Sequence, residues 1–267
     1  MITAKEQIEL DKMLISECNQ GHIDTVRELL CRGADVDIQN GNGNTPLHMS
    51  CRRGRSDVVQ LLLARGADVN VISTNGLTPL HIVCKYGYMN IVKLLLATDV
   101  DINVINANGE TALHLACESG HMNVIKALIK KGARVNMNSA NGYTPLHLAC
   151  LYSDGRTNIV KALLASNAVV NVTGCNSTSP LHFACSNGHM DIAKTLIEKG
   201  ADVTVTSPLD NTPLHCACWH GHKDIVQLLL DHGADINVLN NHRKTPLQIA
   251  YELNYIDIAD MLTREAA

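Results

Sequence analysis

Apolar residues along this chain occur in short clusters separated by polar positions. The longest uninterrupted apolar run, Leu148–Tyr152, has five residues and is far shorter than the roughly 18 that a membrane-spanning helix needs. Only 3% of the residues are aromatic, so small aliphatic side chains must fill the interior. This pattern favours a layered stack of short helices. One apolar position in the stack is a leucine in every copy of the pattern: Leu29, Leu62, Leu95, Leu128, Leu163, Leu196, Leu229 and Leu262.

A four-residue motif marks seven of the eight copies, and the first copy is degenerate, with Lys12-Met13-Leu14-Ile15 in its place. The Thr or Ser of the motif can cap a helix, and its Pro is pre-set for the first helical position, so the motif predicts that a helix begins there. The spacings between copies are 33, 33, 33, 35, 33 and 33 residues. The motif begins at Thr45, Thr78, Thr111, Thr144, Ser179, Thr212 and Thr245, and its fourth residue is His48, His81, His114, His147, His182, His215 or Gln248.

Glycines about nine residues after the motif predict the end of this first helix, because glycine adopts left-handed geometry without a Cβ penalty. An Asp or Asn then suits the positive end of a second helix. The second helix is expected to stop at a further glycine, or at Asp99 and Asn167, which tolerate left-handed geometry. Asn-Gly pairs such as Asn75-Gly76 predict a tight hairpin turn. Each copy is therefore predicted to form a hairpin and two helices.

The 33-residue period and the T-P-L-H signature resemble the ankyrin repeat family, over roughly residues 8–263. The resemblance implies an all-α fold with short β-hairpins, arranged as an α-solenoid of about eight ankyrin-like repeats including N- and C-terminal caps. We expect a single ankyrin repeat domain over residues 1–267. Its approximate repeats are 1–39, 40–72, 73–105, 106–138, 139–173, 174–206, 207–239 and 240–267.

Two departures from the repeat predict local features. The repeat at 139–173 is two residues longer than the others, and the extra length falls at 152–156, which should form a protruding turn between two helices. The first and last repeats are more polar, with Glu6 and Glu9 at one end and Gln248 and Asn254 at the other. Terminal repeats with a polar outer face are expected to act as caps.

Charge and composition exclude several partners. A net charge of −4 and a pI near 6.3 lack the basic surplus of proteins that neutralise phosphates, so we expect no nucleic acid partner. No apolar segment predicts membrane insertion, and the N-terminus lacks a basic region followed by an apolar one. We expect a monomer in the reducing cytoplasm. Residues 51–93 carry six Lys or Arg against two Asp or Glu, which predicts a locally basic face.

Motifs of catalysis and of cofactor binding are missing from the sequence. There is no P-loop, nucleophile elbow or H-E-x-x-H, and Gly41-x-Gly43 lacks the third glycine of a dinucleotide site. A stack of thin repeats also offers no deep pocket. We therefore expect neither catalytic activity nor a cofactor.

Thirteen His and ten Cys raise a metal-binding alternative. Most of them recur once per repeat, which favours packing and backbone hydrogen bonds over ligation, and the recurring thiols are expected to be unpaired. One denser cluster surrounds Trp219. A metal- or redox-responsive protein using this cluster is the alternative function, and its ligands would come from His215, Cys216, Cys218, His220 and His222.

The resemblance implies that partners bind at hairpin tips and at the exposed face of each first helix. Trp, Tyr and Arg are enriched in binding hot spots, and several fall at these positions. We therefore expect a protein-binding adaptor or scaffold whose groove holds a protein or peptide, with acidic residues opposite Arg52 and Arg53. The expected groove residues are Arg52, Arg53, Leu77, Lys85, Tyr86, Glu118, Tyr143, Leu151, Tyr152, Trp219 and His220.

Overall fold

The computed structural model of the protein describes residues 3–152, 156–174 and 177–265. It contains two compact units, an N-terminal unit of Met1–Arg134 and a C-terminal unit of Val135–Ala267. Each unit holds four pairs of helices, counted over the described ranges. The organisation of the chain as one domain stays a prediction.

The N-terminal unit contains eight helices in its described part. Its first helices α1, α3, α5 and α7 pack against one another in chain order, and its second helices α2, α4, α6 and α8 do the same. The bounds are α1 Ala4–Gln20, α2 Ile23–Cys31, α3 Pro46–Arg52, α4 Ser56–Ala64, α5 Pro79–Tyr86, α6 Met89–Leu95, α7 Ala112–Ser119 and α8 Met122–Lys130.

The C-terminal unit repeats this arrangement, again as far as the structure describes it. The first helices α9, α11, α13 and α15 pack in chain order, as do the second helices α10, α12, α14 and α16. The bounds are α9 Pro145–Leu151, α10 Thr157–Ala165, α11 Pro180–Ser186, α12 Met190–Glu198, α13 Pro213–Trp219, α14 Lys223–Asp231, α15 Pro246–Glu252 and α16 Ile256–Glu265.

The first helices after α1 begin where the motif predicts. In α3 the Thr45 hydroxyl accepts a hydrogen bond from the His48 amide at 3.4 Å, and His48 Nδ1 accepts one from the Thr45 amide at 3.2 Å. This reciprocal capping box satisfies two backbone donors that the helix leaves unpaired. Every copy of the motif forms it, including the last copy, where Gln248 replaces the histidine.

Within each unit, motif histidines also connect one repeat to the next. Because Nδ1 of His48 is an acceptor, its proton lies on Nε2, which donates to the Leu77 carbonyl at 3.0 Å. In the C-terminal unit His182 donates in the same way to Asn211 at 2.9 Å. The sequence predicts bonds from these histidines to backbone, and the structure shows that they join a first helix to the tip turn of the following repeat.

The prediction of short β-hairpins is wrong for the described residues, which contain no strand. The tip at 73–77 is closed by the Ser73 amide donating to Leu77 at 2.9 Å, and Gly76 donates to Ser73 within it. Thr78 already caps the next helix, so no residues are left to form a second rung of a ladder. Neighbouring tips are instead joined by single backbone bonds, such as Ala107 to Asn75 at 3.1 Å.

Two further expectations need correction. Asn167 has the predicted left-handed backbone, with φ at 64°, but Asp99 does not, and α6 ends earlier, where the Thr98 hydroxyl donates to the Leu95 carbonyl. In the last repeat Tyr251 and Ile256 expose about half of their surface, so this end is less polar than expected. The predicted protruding turn centres on residues 153–155, which lie outside the described residues.

Candidate functional site

The first helices α3, α5 and α13 bury their motif residues and expose residues at their C-terminal ends. In α13 the residues Pro213, Leu214 and His215 are buried, whereas Trp219 is 52% exposed and His220 is also exposed. Packing against the neighbouring helices therefore fixes the first residues of the helix and leaves the last ones facing solvent. We call the exposed ends of the first helices and the tip turns beside them the variable face of each unit.

In the N-terminal unit the predicted basic and aromatic residues lie on exposed helix ends. Arg52 and Arg53 are exposed at the end of α3, and the Arg53 guanidinium donates to the Asn19 side chain at 3.0 Å. Tyr86, at the end of α5, is 48% exposed and stacks on Tyr88 with ring centroids 5.7 Å apart. This stacking brings Tyr88 beside the variable face.

Three predicted residues of the N-terminal unit line one depression of about 380 Å³, which we call the Lys85 pocket. Leu77 comes from a tip turn, and Lys85 and Glu118 come from the ends of α5 and α7. Glu110 lines the same pocket. The Lys85 pocket therefore carries charges of both signs.

Tyr143 does not have the exposed position expected of an anchor in the C-terminal unit. It is half-buried and packs edge-on against Phe183, with ring centroids 5.4 Å apart, and against His147 at 5.5 Å. A Cβ placed on Gly174 would lie 2.8 Å from its ring. The expectation that Tyr143 faces a partner is therefore weakened, because the next repeat covers its ring.

The end of α9 holds the other two predicted residues of this part of the unit. Leu151 is half-buried, whereas Tyr152 is 40% exposed, and the Arg156 guanidinium lies over its ring at 4.9 Å. A cation over an aromatic face is attracted by the ring quadrupole, so Arg156 helps to hold the Tyr152 ring in position.

Trp219 and His220 line a second pocket, of about 260 Å³, in the C-terminal unit. Four of its lining residues are not among those predicted for a groove or a metal site: Leu209, Asn211, Asn240 and His242. The signal was present, because Leu209-Asp210 and His242-Arg243 replace the Asn-Gly pair that other tips carry. We call this site the Trp219 pocket; its walls include Leu209, Asn211, Cys216, Trp219, His220 and His242.

The metal-binding alternative finds no support in the described residues, where no three His, Cys, Asp or Glu side chains could hold one ion. Most of the imidazole nitrogens in the cluster are committed to other bonds. His215 uses both nitrogens, on Thr212 and on the Lys244 carbonyl. His222 bonds the Ser186 carbonyl, and Nδ1 of His220 bonds the Cys216 carbonyl at 3.0 Å.

The recurring cysteines fill the layer between neighbouring first helices. Cys18, Cys51, Cys84, Cys185 and Cys218 are buried free thiols, as predicted. Burial raises the pKa of Cys18 and of Cys218 to about 12 and also raises that of Cys51. Since the thiolate is the reactive form, these groups are poor ligands and poor nucleophiles.

Comparison with known proteins gives the family. A family model described as ankyrin repeats (3 copies) matches residues 13–106, 98–174, 132–207, 154–240 and 181–267. The chain belongs to the ankyrin repeat family. No curated protein matches it at a significant level. Ankyrin repeats are generally protein–protein interaction modules, and the family is typically non-catalytic.

In this ankyrin repeat protein five of the eleven predicted groove residues line a pocket, and the other six line neither of the two described: Arg52, Arg53, Tyr86, Tyr143, Leu151 and Tyr152. The N-terminal unit gathers Leu77, Lys85 and Glu118 at one pocket, and the C-terminal unit gathers Trp219 and His220 at another. As far as the chain is described, no helix is long and apolar enough to cross a membrane.

Proposed function

We propose that this ankyrin repeat protein is a non-catalytic adaptor whose variable faces bind segments of a partner protein. The observation that carries the proposal is the exposure of Trp219. It is the single tryptophan of the chain, and half of its surface faces solvent at the end of a helix whose motif residues are buried. Tryptophan is among the residue types that dominate binding energies, and packing does not account for one at this position.

The partner is proposed to carry acidic residues opposite the end of α3. Arg52 and Arg53 are both exposed there, and neither forms an ion pair with a described residue. Exposed charges of this kind mainly raise the association rate and are screened by salt, whereas aromatic anchors slow dissociation. We therefore assign to Arg52 and Arg53 the role of raising the association rate, and to Trp219 the role of slowing dissociation.

Site-specific crosslinking in the native cell tests the proposal. A photoreactive amino acid is placed at Arg53 or Tyr152 on the variable faces, and at Lys130 in the second helix α8 as the matched control. We expect one partner to be captured from the two face positions and not from Lys130. Capture of the same partner from Lys130 alone would place binding on the second helices and overturn the proposal.

A further inference from the structure

The Trp219 pocket exists because one first helix carries a small residue where the others carry a large one. Cys216 lies four residues after the motif threonine of α13 and forms part of the pocket wall. A thiol is much shorter than the aliphatic and aromatic side chains at this place in the repeat, so space is left beside it. The equivalent residues are Met49, Ile82, Leu115, Leu148, Phe183 and Ile249.

Two tip turns close the sides of this space with large side chains. Leu209 and His242 stand where the first repeats have a short asparagine, such as Asn75. Both turns are held in place, because the Asn241 amide donates to the Leu209 carbonyl at 3.0 Å. The Asn240 side chain also donates to that of Asn211 at 2.9 Å. The pocket is therefore a built feature of two successive repeats.

The lining combines aromatic and imidazole rings with no carboxylate. None of the described residues that line the pocket is Asp or Glu, whereas His220 and His242 both lie in it. Arg243 follows His242 and is exposed, and Asp210 is the acidic residue next to the wall at Leu209. His220 Nδ1 donates to the Cys216 carbonyl, which fixes the ring and leaves Nε2 of the neutral imidazole as an acceptor. The hydrogen-bond donors for a carboxylate are therefore His242 and Arg243, and this side of the lining is complementary to a ring with a negative charge beside it.

The size of the pocket limits what it can hold. Its volume of about 260 Å³ lies below the about 300–1,000 Å³ of pockets that enclose drug-sized ligands, and it suits one large side chain. Aromatic rings gain from offset or edge-on contact with another ring, which the Trp219 indole offers here. We infer that the Trp219 pocket binds one aromatic side chain of a partner segment, with a neighbouring carboxylate facing His242 and Arg243. This inference rests on the proposed function and names the chemistry of the partner.

A small probe with a ring and a carboxylate tests this inference on the full chain. The probe is 3-phenylpropanoate, and the readout is the indole N–H signal of Trp219 in a ¹H–¹⁵N spectrum, a single signal because the chain has one tryptophan. We expect a saturable shift with a Kd on the order of 1–10 mM, as befits so small a ligand. Neutral 3-phenylpropanol should bind at least about threefold more weakly, since it lacks the charge. No saturable shift, or equal binding of the two probes, would overturn the inference.

Variants that restore the residue of other repeats supply the structural test. Cys216→Leu fills the pocket and should raise the Kd of 3-phenylpropanoate at least about tenfold, because the ring no longer fits. Leu209→Asn removes a wall and serves if the first variant folds poorly. Met49→Leu, at the equivalent place in α3, is the matched control and should leave the Kd unchanged. Binding that survives both Cys216→Leu and Leu209→Asn would contradict the pocket assignment.

The two proposals fail in different ways. If the crosslinked partner binds wild type and Cys216→Leu equally, but loses affinity for Trp219→Ala, binding at the variable face is supported. The inference that the Trp219 pocket holds an aromatic side chain is then wrong. If the partner is captured only through the second helices, the proposed function fails, and binding of 3-phenylpropanoate to the pocket is unaffected by that result. A peptide from the partner that contains an aromatic residue next to Asp or Glu, and that loses binding with Cys216→Leu, supports both.

Discussion

The imidazole of His121 lies directly over Gly87, the glycine that ends α5. A Cβ on Gly87 would lie 2.5 Å from two atoms of this ring, and Nε2 of His121 donates to the Lys85 carbonyl at 3.1 Å. Gly87 also has a left-handed backbone, with φ at 74°. The glycine is therefore required twice, once for the turn and once for the approach of the next repeat.

Replacing glycines at different places separates these two requirements. Gly66→Ala, with φ at 82° and no atom near the added Cβ, should lower the free energy of unfolding by about 1–2 kcal/mol through backbone strain alone. Gly87→Ala should cost on the order of 1–3 kcal/mol more, because the methyl group also meets His121. Gly41→Ala has neither problem and is the control. Urea unfolding followed by circular dichroism measures all three; equal losses for Gly66→Ala and Gly87→Ala would refute the contact.

Acid should destabilise the protein through its motif histidines. Burial lowers the pKa of His48, His81, His182 and His215 below the ordinary value of 6.5. As the pH falls below 6.5 the unfolded chain takes up protons that the folded chain does not, so the free energy of unfolding decreases until the folded-state pKa values are passed. Above pH 6.5 these histidines should have little effect on how the free energy of unfolding changes with pH.

A glutamine variant tests whether the motif histidines cause the acid sensitivity, because the last repeat already has a glutamine at this position. Gln248 accepts from the Thr245 amide at 2.9 Å and so keeps the capping box. His81→Gln should lower stability at pH 7.5, through loss of the bond to Glu110, and should reduce the slope of stability against pH between 6.5 and 5. Thermal melts across this range give the slope, and an unchanged slope in His81→Gln would show that another group causes the acid sensitivity.

The thiols should divide into reactive and protected groups. Cys31 is exposed, whereas Cys51 and Cys84 are fully buried with a raised pKa. A thiol reagent should label Cys31 within minutes and the buried pair only on unfolding, which mass spectrometry of the digested protein resolves. Cys51→Asp should prevent stable folding, since it buries an unpaired charge, whereas Cys51→Ala should be tolerated. Rapid labelling of Cys51 in folded protein would contradict the packing.

Tyr143 should behave as a packing residue and not as an anchor. Tyr143→Ala should lower the free energy of unfolding by about 1–3 kcal/mol, because the ring is half-buried against Phe183 and His147. Tyr152→Ala is the comparison in the same repeat and should cost about 1 kcal/mol or less, since Tyr152 is more exposed than Tyr143, with 40% of its surface facing solvent. Denaturant unfolding of the two variants checks this; a larger loss for Tyr152→Ala would reverse the two roles.

The sequence was sufficient to predict the features that depend only on residues close together along the chain. The Thr-Pro starts of helices such as α3 and α13 follow from local capping chemistry, so they could be predicted residue by residue. Sequence alone failed where two repeats meet. Phe183 covers Tyr143 from 40 positions away, and the Trp219 pocket needs side chains from two tips and one helix. The prediction of short β-hairpins was wrong for a different reason. The residues that cap the helices follow the tip turns too closely for a β-ladder to form.

The affinity of the crosslinked partner for Trp219→Ala is the measurement that tests the central claim most directly. Isothermal titration is run with wild type, with Trp219→Ala and with Ile256→Ala, an exposed apolar residue of the same unit that lies on the second helix α16 and so outside the variable face. We predict a loss of about 2 kcal/mol for Trp219→Ala, roughly a thirtyfold rise in Kd, and no change for Ile256→Ala. A partner whose Kd is unchanged by Trp219→Ala but rises for Ile256→Ala would contradict this claim.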